Sequence, residues 1–229
     1  MTLMNKENTK MNAAKAVVFD MDGTILDTLE DLRSSVNHAL RKHGMPERSS
    51  AEVRAFLGNG MVCLIHRAVP KGTDPDTEAS VLASHKAYYP LHCAEQTRPY
   101  PGIVELLRVL RDAGMKTAVV SNKRDENVQA LVRNYFNGLF TVAVGARDGV
   151  PRKPSPELVE IALSELGVTK EESVYIGDSD VDVATAKASG LSMITVLWGF
   201  RDKPELIAAG ADRFAESTEQ LKRMLLADA

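Results

Sequence analysis

Cysteine is nearly absent, with two residues, Cys63 and Cys93, in a chain of 229. Two thiols cannot make a disulfide framework at this size, and their scarcity suits a reducing compartment. They do not make a zinc site either. Cys63 precedes His66 by three residues and His92 adjoins Cys93, but no paired C-x-x-C or H-x-x-x-H spacing goes with them. Long apolar runs are also missing. No stretch approaches the ~20 residues of a membrane span. Excess positive charge is missing too. Net charge is -3 and no block of Lys and Arg occurs, which argues against a nucleic-acid or membrane-surface partner. The opening residues M-T-L-M-N-K-E-N-T-K-M-N lack the apolar core of a signal peptide. A disordered tail is expected over 1–14, with Met11 a possible second start and a cytoplasmic location. What remains is ordinary for a globular protein, 44% hydrophobic and 26% charged. The length allows one large domain or two small ones.

Short β-rich runs recur at 16–20, 116–120, 141–144, 174–176 and 193–197. They show no helical period and fit strands buried on both faces. Helical patterns separate them. In 101–114, Ile103, Leu106, Leu107 and Leu110 share a face and Gly114 marks a stop. Residues 125–136 and 156–166 are similar in kind. Alternating strands and helices predict an α/β fold, a Rossmann-like parallel sheet with helices on both faces. Residues 29 to 98 break the rhythm, with helical patterns and no convincing strand. Leu29, Leu32, Val36 and Leu40 form a stripe ended by Gly44, Ser49 and Glu52 offer a capping box, and further helices are expected near 61–69 and 77–89. This all-α insertion follows the first strand, at the sheet edge where ligands of open α/β sheets bind, so it is well placed to be a lid. The expected domains are a core of 15–27 and 99–229 and a helical cap of 28–98.

Four segments lie at or just past the C-terminal ends of predicted strands: D-M-D-G-T (20–24), S-N-K (121–123), R-K-P-S-P (152–156) and G-D-S-D-V-D (177–182). Chain connectivity would bring all four to one edge of the sheet. Asp20 and Asp22, one residue apart, would repel each other there. A hard divalent cation such as Mg²⁺ resolves that crowding. Lys153 and Ser121 supply donors for phosphate oxygens, and Gly23 allows a sharp turn. A carboxylate beside a bound phosphate can act as nucleophile, and a second can move the leaving group's proton. Taken alone, Ser121-Asn122 reads as a helix cap, Gly58-Asn59-Gly60 as a turn between helices or a substrate contact, and Trp198 as packing.

Together the four segments resemble the motifs of the haloacid dehalogenase-like hydrolase superfamily, over nearly the whole chain after residue 15. The resemblance implies Asp20 as nucleophile and Asp22 as general acid and base. It implies Mg²⁺ held by Asp20, the backbone carbonyl of Asp22 and Asp178, with Asp182 in a supporting role and Asp180 less defined. Ser121 and Lys153 match the phosphate-binding positions, with Asn122 a further substrate contact. Family members that cleave carbon–halogen bonds lack an Asp at the place of Asp22, and P-type ATPases carry Thr there, so the resemblance implies a phosphatase or phosphomutase. The position of the insertion, together with F-L-G-N-G-M (56–61), R-P-Y-P-G (98–102), G-D-S-D-V-D-V-A-T-A-K-A-S-G (177–190) and W-G-F-R (198–201), is similar to phosphoglycolate phosphatases. The implied partner is a small phosphorylated metabolite, most simply 2-phosphoglycolate. An inorganic pyrophosphatase, a β-phosphoglucomutase-like mutase or a non-enzymatic phospho-ligand binder are the alternatives. Oligomeric state is not legible.

Overall fold

The structure is a computed structural model that describes residues 14–227. The expected tail and the second start at Met11 lie outside the described residues, except Ala14, which is buried in the core rather than part of a tail. The chain opens with β1 (Ala16–Phe19), whose four side chains are all buried. They alternate as a pleated strand requires. Val17 and Phe19 enter one apolar cluster, and Ala16 and Val18 enter another on the opposite face.

After β1 come β2 (Leu26–Asp27) and four helices, α1 (Leu29–Lys42), α2 (Ser50–Phe56), α3 (Gly60–Ala68) and α4 (Pro75–His92). The Ser49–Glu52 capping box starts α2, satisfying backbone donors that would otherwise be free at its first turn. Asp74 caps α4, and the helix continues through Pro90 to His92, beyond the stretch that the sequence pattern marks. The insertion closes on β3 (Arg98–Pro99), which pairs antiparallel with β2. That two-residue ribbon is where the chain leaves and re-enters the sheet domain.

The remainder is α5 (Ile103–Asp112), β4 (Lys116–Arg124), α6 (Asp125–Phe136), β5 (Val142–Ala146), α7 (Glu157–Leu166), β6 (Ser173–Gly177), α8 (Asp180–Ser189), β7 (Ser192–Val196), α9 (Lys203–Ala209), β8 (Phe214–Ala215) and α10 (Thr218–Ala227). The six-stranded sheet has the order β5-β4-β1-β6-β7-β8 and every pairing is parallel. Buried residues of α5, α6 and α10 pack in the cluster of one face, and those of α7 and α8 in the cluster of the other. The central position of β1 matters for the site. Phe19 is in register with Val119 of β4 and Ile176 of β6. The residues just beyond these three positions, Asp20, Ser121 and Asp178, therefore lie side by side. Among the described residues no helix is long and apolar enough to cross a membrane.

Candidate active site

Asp20 is the first residue past β1, and its N–H still donates to the Ile176 carbonyl at 2.8 Å. The chain then turns tightly. The N–H groups of Ile25 and Leu26 both donate to the Met21 carbonyl at 3.0 Å. Met21 is buried in the apolar core, and the carboxylates on either side of it face the sheet edge. Gly23 takes φ +88, and a Cβ there would lie 2.3 Å from Asp178 Oδ2. The turn thus needs glycine for both backbone conformation and close approach. Gly23→Ala is expected to weaken Mg²⁺ binding by ~10-fold or more, because it pushes Asp178 aside. Titration calorimetry with Mg²⁺ checks it. Unchanged affinity would show that Asp178 does not need this position.

Lys153, in the loop before α7, reaches into the centre of the cluster. Its ammonium donates to Asp20 Oδ1 at 2.6 Å, to Asp182 Oδ1 at 2.9 Å and to the Tyr175 hydroxyl at 2.9 Å. Burial alone would lower the lysine's pKa, but Asp182 and Asp20 outweigh it and hold the pKa well above its ordinary value. Asp182 is fully engaged. Its Oδ1 also accepts from Tyr175 at 3.0 Å, and its Oδ2 accepts from the N–H and hydroxyl of Ser179, at 3.1 and 2.6 Å. Asp178 accepts from Thr24 Oγ1 at 2.9 Å and from the Phe200 N–H at 2.7 Å, and keeps lone pairs free on both oxygens.

Asp20, Asp178 and Asp182 present carboxylate oxygens within 4.8 Å of one another. Lys153 offsets one of these three charges. Two negative charges remain in excess among hard oxygen donors, which is a fit for a divalent cation of the Mg²⁺ type. Asp20 and Asp178 have oxygens to offer it, whereas Asp182 is committed to Lys153, Tyr175 and Ser179. The crowding shows in the acidities. Burial, and then the charge of Asp182, push Asp178 up to about 7 from its usual 3.8. The same two causes raise Asp20, against the pull of Lys153.

A raised carboxyl pKa means that the folded state holds its proton more tightly than the unfolded chain. For Asp178 that stability is complete below 3.8 and is lost as pH rises through about 7. Metal binding needs the ionised form. Mg²⁺ is therefore expected to raise Tm more at about pH 8 than at about pH 5. Thermal scans with and without Mg²⁺ check this, and equal shifts at both pH values would contradict it.

Asp22 points elsewhere. Its carboxylate lies 3.1 Å from the Lys123 ammonium, which donates in turn to the hydroxyl of Tyr89 on α4 and sits 4.6 Å from the centroid of that ring. Burial lowers the Lys123 pKa, but Asp22 and Tyr89 more than compensate and raise it. The site therefore has two acid–lysine pairs rather than one. Lys123 belongs to the quoted S-N-K segment, but its partners come from β1's turn and from the helical insertion, so spacing alone does not reveal its role. Ser121 is buried, and its Oγ accepts from the Lys123 N–H at 3.2 Å. It is not a helix cap, since β4 continues to Arg124 and α6 begins at Asp125. Asn122 donates to the Lys153 carbonyl at 2.9 Å and to the Gly58 carbonyl at 3.4 Å, so it joins two loops. Asp180 pairs with Arg201 at 3.1 Å, away from the carboxylate trio. Trp198 donates to the Thr24 carbonyl at 3.0 Å and packs on the core.

These groups line a cavity of about 80 Å³, room for several waters and so for a small ligand. Asp20, Asp22, Ser121, Lys123 and Lys153 form its floor, while Leu57, Gly58, Gly60, Met61, Leu64, His85 and Tyr89 of the insertion form its roof. Arg201 ties roof to floor, donating to the carbonyls of Leu57 at 2.7 Å and Arg54 at 3.1 Å.

Comparison with known proteins follows the same geometry. Residues 17–196 match the family model described as haloacid dehalogenase-like hydrolase. A phosphoglycolate phosphatase of Cereibacter sphaeroides is 34% identical over 217 residues, 92% of this chain and 99% of that protein. A phosphoglycolate phosphatase of Pseudomonas putida is 33% identical over 193 residues, covering 81% of this chain and 70% of its own length. A crystal structure from Lactobacillus delbrueckii subsp. bulgaricus superposes with a TM-score of 0.89 at 36% identity, spanning 93% of this chain and 98% of that one. The buried acidic cluster, the sheet order and these likenesses agree, and the chain belongs to the haloacid dehalogenase-like hydrolase family.

Proposed function

We propose that the chain is a Mg²⁺-dependent phosphatase of small phosphomonoesters, and that it hydrolyses 2-phosphoglycolate to glycolate and phosphate. The observation that carries this reading is the pairing of two carboxylates with two lysines in one small buried cavity: Asp20 with Lys153, and Asp22 with Lys123. The relatives named phosphoglycolate phosphatase support the substrate.

The geometry supports the following roles. Lys153 and Ser121 bind the phosphoryl oxygens. Asp20 attacks phosphorus, and the bond to the alkoxide breaks as the aspartyl-phosphate forms. Asp22 gives its proton to the departing oxygen. It then takes a proton from a water that attacks the same phosphorus, which frees phosphate and regenerates Asp20. Asp182 and Tyr175 keep the Lys153 ammonium aimed at Asp20. Mg²⁺, held by Asp20, Asp178 and the backbone carbonyl of Asp22, would supply positive charge to the phosphoryl oxygens. Residues 28–98 act as a cap over the core of 15–27 and 99–229, excluding bulk water when closed.

The test is phosphate release from 2-phosphoglycolate, pyrophosphate, nucleoside monophosphates and sugar phosphates, with Mg²⁺ and with a chelator. Mg²⁺-dependent release with a clear preference for 2-phosphoglycolate is expected. Preference for another phosphate would replace the substrate, and release insensitive to chelation would refute the metal.

A further inference from the structure

Lys153 already serves the phosphoryl end of the cavity, which leaves a second buried cation, Lys123, without a role in the mechanism above. Buried ammonium groups are costly to keep unless they neutralise something. Asp22 is part of the answer at 3.1 Å. The ammonium also lines the cavity, where a ligand can meet it. An ammonium has three donors; one goes to the Tyr89 hydroxyl, and Asp22 faces it as an ion pair at 3.1 Å.

His85 lies beside this pair, buried on α4 and stacked 5.5 Å from the Tyr89 ring. Its Nδ1 is 2.8 Å from Ser35 Oγ. Its Nε2 is buried with no hydrogen-bond partner, and the ring lines the cavity. Burial and then the charge of Lys123 lower its pKa to about 4, so the ring is neutral near neutral pH. The Ser35 hydroxyl can donate to Nδ1, and in that tautomer the single ring proton sits on Nε2 as a donor in need of an acceptor.

We propose that Lys123 and His85 form a subsite for an anionic group on the departing half of the substrate. In the reading above, on which this rests, that group is the carboxylate of phosphoglycolate. The leaving oxygen faces Asp22, and in a two-carbon hydroxy acid the carboxylate begins one carbon further on, within reach of an ammonium that touches Asp22. The subsite selects esters of short acidic alcohols over neutral ones of the same size. An alcohol without the charge would leave the Lys123 ammonium short of an acceptor and Nε2 without a partner, and sites with groups left unpaired in this way discriminate strongly.

The test compares kcat/KM for 2-phosphoglycolate and for its neutral amide, in the wild type and in Lys123→Met, Lys123→Arg, His85→Leu and His85→Gln. The wild type is expected to prefer the acid by ~100-fold or more. Lys123→Met and His85→Leu are each expected to cut that ratio by ~10-fold or more. Lys123→Arg and His85→Gln, which keep a charge or a donor, should restore most of it. If Lys123→Met does not fold, the two His85 variants decide. Equal losses on acid and amide, with the ratio at its wild-type value, would overturn the subsite and leave Lys123 as a positioning residue for Asp22. Failure of the substrate reading looks different: the wild type itself would prefer another phosphate. In that case a wild-type preference for a neutral ester overturns the subsite as well. A preference for pyrophosphate that Lys123→Met abolishes keeps the subsite, with phosphate in place of carboxylate.

Discussion

Asp20→Asn is expected to lower kcat by ~10⁴-fold or more while the protein stays folded. Losses of this order accompany removal of a nucleophile that works as part of a unit. Asparagine matches aspartate in shape, so the backbone bond from residue 20 to Ile176 and the neighbouring turn have no steric reason to move. Its amide cannot attack phosphorus, however. It also removes one of the two negative charges that Lys153 touches, while Asp182 and Tyr175 still hold the ammonium. Substrate should therefore bind, and the defect should appear in kcat far more than in KM. Steady-state and single-turnover phosphate release with Mg²⁺ measure both. Turnover within ~10-fold of wild type would exclude Asp20 as the nucleophile and with it the aspartyl-phosphate.

Lys153→Met is expected to damage activity and fold together. Lys153 is 5% exposed and lies within 2.9 Å of two buried carboxylates. Methionine nearly conserves volume, so packing survives, but Asp20 and Asp182 lose their shared cation. Removing one member of a buried ion pair costs about 3 to 5 kcal/mol. For a domain of this size that is a Tm loss of roughly 10 °C. The sign of the pH effect follows. Protonation relieves the orphaned carboxylates, so the deficit should shrink toward acid and be largest at neutral pH and above. Mg²⁺ should recover part of it by supplying charge to the same cluster. Activity should fall by ~10²-fold or more, since charge on the transferring phosphoryl is left unsupported. Thermal melts across pH, with and without Mg²⁺, make the check. A metal-free variant that melts within ~2 °C of wild type at neutral pH would show that the network does not hold the sheet edge together.

Much of this was legible in the sequence, for reasons that are local. A run such as A-V-V-F has no helical period and is apolar throughout, so it reads as a strand covered on both faces. Parallel strands joined by helices then leave little freedom. Right-handed crossovers put every strand's C-terminal end on one edge; Asp20 and Asp178 follow their strands there, and Ser121 sits in the last part of β4. The charge crowding expected between Asp20 and Asp22 is not the one that forms: Asp22 turns to Lys123, and the crowded carboxylates are Asp20, Asp178 and Asp182.

Other features had no local signal. The β2–β3 ribbon is two residues per strand, with partners about seventy residues apart, too short for any alternation to show. The α9, β8 and α10 segments at the far edge of the sheet and the continuation of α4 through Pro90 were likewise unread. At the site, tertiary structure decided which lysine meets which acid. Lys153 goes to Asp20 and Asp182, and Lys123 to Asp22. It also brought Tyr89 and His85 of α4 over the cavity. Sequence spacing encodes periodicity over a few residues, and so it specifies the elements and the edge on which they end. Coulombic pairing and desolvation depend on ångström distances between side chains from separate elements. Those distances exist only once the sheet has formed and the helical insertion has closed over it.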